Sequence, residues 1–463
     1  MATTADKHYD LVIIGTGSGN SIPGPEFEDK SIAIVEKGVF GGTCLNVGCI
    51  PTKMFVYAAE QARAAAHSER YNLDTQFNSV DWPALRERVF GERIDKIAAG
   101  GEAYRRGEET PNIDVYDGHA RFVDTKTIAT ADGDTPVVIS GEQIVLAVGS
   151  RPQIVPPYAG TDFRYYTNED IMRLEDLPES IIIHGGGFIA AEFAHVFHDL
   201  GATVTVINRS PRMMKTLDED LTTYFTEMAE KTWNTYLGHD ISEASNTENG
   251  VRVTLDDGTV LEADVFLAAT GRVPNGDQLD AEKSGIELDG PRIKVDDYGR
   301  TSCEGVWALG DCSSPYLLKH VANAEMRAVR HNLLHPEDLR PMPHENVPSA
   351  VFTHPQIATV GLTEEQARDK GYDITVKIQK YGDVAYGWAM EDESNFVKLI
   401  ADRATGQLLG AHFIGPEAAT LIHQLITVMT FKLDVRKVAT EQYWIHPALP
   451  ELVENALLGL DFS

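Results

Sequence analysis

The sequence predicts an α/β chain built from two doubly wound, parallel-sheet units. Three observations lead there. An apolar strand at residues 11–14 runs straight into Gly15-x-Gly17, and a second at residues 181–183 runs into Gly185-x-Gly187-x-x-Ala190. Strand, glycine turn and helix in that order form the start of a βαβ unit, in which glycines let the backbone approach a pyrophosphate. At 463 residues the chain has room for more than one domain and for large cores without covalent help.

In the first unit, DLVIIGTGSGNS is followed by a second apolar strand at residues 31–35 that ends in Glu36, 21 residues after Gly15. An acid at that place accepts from ribose hydroxyls. The third glycine position holds Asn20, and SIPGPEFEDK follows with Pro23-Gly24-Pro25. Proline inside a helix removes a donor and clashes with the preceding turn, so the crossover helix is expected to be short or interrupted.

The second unit, SIIIHGGGFIAAEFAHVF, has the cleaner pattern, with Ala190 small enough for close helix–strand contact. Its next strand, residues 203–207, ends not in an acid but in Asn208-Arg209, with Arg212 and Lys215 beyond. An acid there would repel a 2′-phosphate, whereas arginine and lysine attract it. A solvated basic loop is the plainer explanation, but the chain carries 40 basic against 70 acidic residues, a formal charge of −30. In that setting a basic cluster points to NADPH. Two Rossmann-like folds in one chain suggest an electron relay, with FAD on the first and NADPH on the second. In residues 301–311, TSCEGVWALGD, an apolar strand precedes Gly310-Asp311, and that aspartate is placed to reach ribityl hydroxyls.

The same charge balance argues against a nucleic-acid partner or an anionic membrane. The start, MATTADKHYD, lacks an apolar signal core, and no run of about 18 apolar residues occurs. A soluble, cytoplasmic protein is expected. Four cysteines are too few for a disulfide scaffold.

Two of the four, Cys44 and Cys49, lie in GGTCLNVGCIPTK. A four-residue spacer without a second Cys or His pair is a poor zinc signature, and a structural staple is disfavoured in the cytosol. An exchangeable pair fits better, because so small a ring gains little from loop entropy. Pro51 suits an early helical turn, and the run to Ala66 continues as helix. Cys49 then sits near a helix start, where the dipole lowers a thiol pKa, with Lys53 one turn beyond. Cys303 and Cys312 read as packing residues. His195 and His198, at i and i+3 on a helix, lack a carboxylate or cysteine partner and read as packing or surface histidines. No metal site is expected.

With GGTCLNVGCIPTK, both dinucleotide patterns and the C-terminal YWIHPALPELVE in hand, the chain resembles the class I pyridine nucleotide–disulfide oxidoreductases. That family includes glutathione reductase and dihydrolipoamide dehydrogenase. The resemblance covers nearly the whole chain. It implies an FAD and central domain over residues 1–150 and 273–345, an NADPH domain over 151–272, and an α+β C-terminal dimerisation domain over 346–463. Its start is recognisable in SAVFTHPQIATVGLTEEQA. It implies that Cys49 lies against the flavin and that Cys44 attacks a small-molecule disulfide. Lys53 and Glu192 would flank the flavin where hydride arrives, with Thr43 among the cofactor contacts. Gly149 and Gly271 would mark the chain crossings, and His446, oriented by Glu451, would be the acid–base. In this family that histidine comes from the partner subunit, so a homodimer is implied.

The chain departs from particular members of the family. Asn208 replaces the acid expected of a dihydrolipoamide dehydrogenase. Thr52-Lys53 stands where glutathione reductases carry two lysines, and SIPGPEFEDK lacks their substrate-binding arginine. The departures favour another low-molecular-weight disulfide, with lipoamide and glutathione disulfide as the alternatives.

Overall fold

The computed structural model describes residues 4–463. The first sheet starts with β1 (Lys7–Ile14), β2 (Ile32–Glu36), β3 (Ile113–Asp124), β4 (Thr127–Asp132) and β5 (Thr135–Leu146). Strand β1 pairs in parallel with both β2 and β5, and β2 with β3, while β4 returns antiparallel between β3 and β5. Residues 11–14 of β1 are buried on both faces, which is why they read as an unbroken apolar run. The connection from β1 to β2 holds two single 3₁₀ turns, Gly19–Ser21 and Pro25–Phe27, in place of a helix. Pro25 opens the second turn, where its missing N–H costs nothing.

The second unit is a parallel sheet of β6 (Ser180–His184), β7 (Thr203–Asn208), β8 (Asn234–Leu237) and β9 (Val265–Ala268), in the order β9-β6-β7-β8. The chain enters and leaves it through an antiparallel pair, Ser150–Pro152 with Arg272–Pro274. Gly149 (φ 64°) and Gly271 (φ 128°) sit at these crossings, in backbone conformations that disfavour a side chain. The chain then returns to the first sheet, where β10 (Val306–Ala308) pairs with β5.

The third unit is an antiparallel sheet of β11 (Ser349–Val351), β12 (Ile357–Gly361), β13 (Ile374–Lys380), β14 (Phe396–Asp402) and β15 (Leu408–Ile414). Lys398, on β14, is only 2% exposed and binds Asp218 (2.9 Å), Asp220 (2.5 Å) and Glu364 (2.8 Å). A buried ammonium needs such partners. Because Asp218 caps the helix Glu219–Thr232 of the second unit, this cluster ties the second unit to the third.

The redox motif forms two helices, α1 (Gly42–Asn46) and α2 (Cys49–Ala66). Helix α2 buries Phe55, Val56, Ala59 and Ala62 in the core that also holds Ala190, Ala191, Ala194 and Phe197 of α3 (Phe188–Asp199). Trp82 bridges them, with ring centroids 5.0 Å from Phe55 and 5.7 Å from Phe197, and its indole N–H finds the Leu174 carbonyl at 2.9 Å. Each buried aromatic of this kind contributes roughly 1.5–3 kcal/mol. The two catalytic-candidate helices are thereby held in fixed register. No helix among the described residues is long and apolar enough to cross a membrane.

Candidate active site

The redox loop rests on the first glycine loop. Gly41 (φ 106°) and Gly42 (φ 72°) occupy left-handed backbone, and a Cβ on Gly42 would lie 2.7 Å from the Gly17 Cα. Thr16 Oγ1 accepts from Gly41 N–H at 2.9 Å, and Asn46 Nδ2 donates to the Phe40 and Gly42 carbonyls at 3.0 and 3.1 Å. The double glycine thus presses the cysteine segment onto the nucleotide loop. Thr43, at the start of α1, is exposed there.

Cys44, in α1, is half-buried, and Cys49, the first residue of α2, is exposed. Both are thiols, and their acidities diverge. Cys49 is held down at about 7, first by the hydrogen bond from Cys44 and further by its local backbone and Lys53, against burial and Glu192. Cys44 is pushed up by that same hydrogen bond and by burial. Position at the N-terminus of an 18-residue helix favours charge on Cys49 as well. Of the two sulfurs, Cys49 is therefore the more readily ionised and Cys44 the one that keeps its proton longer.

Lys53, one turn on, bonds Glu192 of α3 at 2.8 Å. The sequence missed their third partner. Phe352, just after β11, donates its backbone N–H to Glu192 Oε1 at 2.9 Å and lays its ring 4.0 Å from the Lys53 ammonium. All three structural units meet at this pair. A buried carboxylate persists there because each neighbour supplies a donor.

A second layer lies further along the same two helices. The Asp199 side chain is 6% exposed and takes His195 Nδ1 at 2.7 Å and Arg63 at 3.2 Å. This corrects the expectation that His195 and His198 lack a carboxylate: Asp199 follows them directly in sequence. It lies i+4 from His195 on a helix, a spacing that brings side chains together. His354 packs against the His195 ring at 6.4 Å and is driven down to about 3 by burial.

The first nucleotide cradle matches its sequence pattern with one shift. Gly15 (φ 103°) would place a Cβ 2.3 Å from the Ala147 carbonyl oxygen, so only glycine fits. Close packing of the third position falls to Gly19, whose Cβ would lie 2.8 Å from Ala147 Cβ and 3.0 Å from Ile13, and not to Asn20. Asn20 instead accepts from Arg105 at 2.9 Å. The 3₁₀ turn explains the shift, because a tighter turn brings the next residue round one position early. At Gly17 a Cβ would meet nothing within 4 Å, leaving an open cradle. Glu36 Oε2 accepts from Thr16 N–H (2.9 Å) and Thr16 Oγ1 (2.5 Å), and Oε1 from Gly38 N–H (3.0 Å). A carboxylate has about four acceptor sites, so it keeps capacity for a ribose hydroxyl. Asp311 accepts from Ser150 Oγ at 2.6 Å, and burial pushes its carboxyl up. Beside it Arg272, unassigned from sequence, binds Ser150 Oγ (2.8 Å), the Ser150 carbonyl (2.7 Å) and Asn168 (2.9 Å). Asn168 in turn donates to the Val47 carbonyl between the two cysteines (3.1 Å). These residues fit FAD.

The second cradle repeats the device. A Cβ on Gly185 would lie 2.2 Å from the Ala269 carbonyl oxygen, Gly187 faces open space and Ala190 is fully buried. Asn208 Nδ2 donates to the Ser210 and Arg212 carbonyls at 2.9 and 3.1 Å, curling the basic loop, and Met214 N–H closes it on Gly186 at 2.7 Å. Arg209 and Lys215 are exposed on this loop, while Arg212 is engaged by Glu219 at 3.0 Å.

His446 lies apart from the cysteines in the hydrogen bonding of the chain. Its Nδ1 meets Glu451 Oε1 at 2.7 Å, at the start of α5 (Glu451–Leu458), and its ring is 71% exposed. Exposed Phe431, Leu433, Tyr443, Ile445 and Leu458 lie on the same C-terminal unit. That much uncovered apolar surface marks an interface.

A thiol pair at a helix start, a Lys–Glu ion pair and two nucleotide cradles define a pyridine nucleotide-dependent disulfide redox site, and the comparisons agree. The pyridine nucleotide-disulphide oxidoreductase family matches residues 9–328, its dimerisation domain matches residues 347–457, and the chain belongs to that family. It is 53% identical to the mycothione reductase of Mycobacterium tuberculosis H37Rv, over 98% of this chain and 99% of that one. It is 32% identical to a glutathione reductase of Burkholderia cepacia, over 96% and 97%. Among solved structures, the HOCl-induced flavoprotein disulfide reductase RclA of Escherichia coli superposes with a TM-score of 0.85 at 28% identity, over 97% and 100% of the two chains.

Proposed function

We propose that the chain is an NADPH-dependent, FAD-containing reductase of mycothiol disulfide, working as a homodimer in the cytoplasm. The observation that carries the redox reading is the unequal pair: Cys49 held at about 7 beside a Cys44 thiol pushed upward. FAD, when bound, supplies two-electron transfer between NADPH and the Cys44–Cys49 disulfide. The chain's own residues do the rest. Residues 1–150 and 273–345 hold the flavin, residues 151–272 hold NADPH through Gly185, Gly187, Arg209 and Lys215, and residues 346–463 form the dimer contact. Lys53 and Glu192 orient the flavin side of the site. The Cys44 thiolate attacks one substrate sulfur, so that a mixed disulfide forms and the other sulfur leaves with its electron pair. His446 of the partner subunit, fixed by Glu451, protonates that leaving sulfur. Cys49 then displaces the second thiol and restores the ring disulfide.

Two features support mycothiol disulfide, a bulky sugar–inositol substrate. The M. tuberculosis relative at 53% identity bears that name, against 32% for the glutathione reductase. The first crossover segment also offers no arginine for a glutathione carboxylate. The test is a steady-state comparison of mycothiol, glutathione and lipoamide disulfides with NADPH and NADH. Turnover of mycothiol disulfide with NADPH is expected to dominate. Turnover of glutathione or lipoamide disulfide with none of mycothiol disulfide overturns the substrate, and strong NADH preference overturns the role given to Arg209 and Lys215.

A further inference from the structure

Lys319 opens helix α4 (Lys319–Leu334) where the first glycine loop meets the redox loop. Its Nζ donates to Ser18 Oγ at 2.9 Å, and that hydroxyl donates onward to Asn323 Oδ1 at 3.0 Å, one turn along the same helix. Ser18 is 7% exposed and directly follows Gly17, against which Gly42 packs two residues before Cys44. A hydroxyl has one proton to give and lone pairs to receive, so this relay holds the ammonium in place. A cation at a helix N-terminus is opposed by the helix dipole, so helix stability gives no reason for a lysine here. Its effect falls on the neighbouring sulfur: the Lys319 charge acts through space to lower the Cys44 thiol, against the Cys49 hydrogen bond and burial that raise it.

We propose that Lys319, anchored to the first glycine loop through Ser18, supplies the positive charge against which Cys44 becomes the attacking thiolate. This rests on Cys44 being the sulfur that meets substrate. Cys44 is the less readily ionised of the two thiols, and exchange begins only when His446 of the partner subunit takes its proton, which it then gives to the leaving sulfur. The sulfur then bonds one substrate sulfur, the substrate S–S bond breaks, and its electron pair departs with the other sulfur to be protonated. The charged groups around the pair divide between the two sulfurs. Lys53 and Glu192 act on Cys49 from α2 and α3, and Arg272 couples to it from the chain crossing. Lys319 acts on Cys44 from α4. Lys319 is thus a positioning residue for charge, outside direct contact with the reacting bond.

The experiment reduces holoenzyme with one equivalent of NADPH and alkylates it with iodoacetamide from weakly acidic to alkaline pH. The Cys44 adduct is quantified by peptide mass spectrometry and flavin content by absorbance. Lys319→Gln is expected to move the Cys44 profile alkaline by about one unit, which slows alkylation near neutral pH about tenfold. Lys319→Arg restores the profile. Ser18→Ala, which removes the tether and keeps the charge, moves it the same way by less. An unmoved profile in whichever of the Gln and Ala variants retain flavin overturns the inference, as does an equal shift in the Arg and Gln variants. If wild-type enzyme is alkylated on Cys49 and spared on Cys44, the outward role of Cys44 falls, and this inference falls with it.

Discussion

A thiol held at about 7 is half ionised at neutral pH, and in this chain that thiol is Cys49. Its ionised share grows as pH rises through that value. In the NADPH-reduced holoenzyme, long-wavelength thiolate–flavin absorbance should therefore rise with pH around a midpoint near 7. Lys53→Met removes a favourable charge and leaves the negative charge of Glu192 without its counter-ion, and both changes disfavour the thiolate. The midpoint is expected to climb by about one unit, readable in an absorbance titration. A midpoint that stays put would separate Lys53 from the sulfur. At this scale the sequence was partly legible. Helix start, cysteine and lysine follow one another within five positions, so their neighbourhood is local. Phe352, Lys319 and Arg272 are remote from the motif in sequence, and no local pattern announces them.

Elements carry their own test in the two glycine turns. Gly17 and Gly187 are equivalent: each follows a parallel strand, and each points an empty Cβ direction into open space. Valine at either position fills a cradle without pressing on the protein. Gly17→Val should yield enzyme with little bound flavin. Gly187→Val should keep its flavin while KM for NADPH rises about tenfold, equal to about 1.4 kcal/mol. Flavin absorbance per chain and steady-state kinetics separate the two. If both variants keep flavin and NADPH affinity, the cradles are misassigned. The strand–glycine sequence was readable because a buried parallel strand is a continuous apolar run and a tight turn demands glycine. The third position was not, because the connection after Gly17 winds as 3₁₀ and Gly19 takes the packing role expected one residue later.

For the whole molecule, the test concerns where His446 acts. Its exposed ring, bonded to Glu451 amid uncovered apolar side chains, suits a histidine delivered to a partner subunit. Cys44→Ser and His446→Ala homodimers should each lose activity by at least about a hundredfold. Unfolding and refolding an equal mixture should restore about one quarter of wild-type activity, since half the dimers are mixed and each has one intact site. No recovery would place cysteine and histidine of one chain in the same site. The sequence by itself determined the two nucleotide units and a helix start near Cys49, because each depends on residues a few positions apart, while the pairing of His446 with Glu451 was implied by the family resemblance. Tertiary structure decided which sulfur ionises more readily, how Glu192 of the second unit is bound from the other two, and that Asp199 joins His195 to Arg63. Those outcomes depend on burial and on hydrogen bonds between distant segments, which come into being only when the sheets and helices pack.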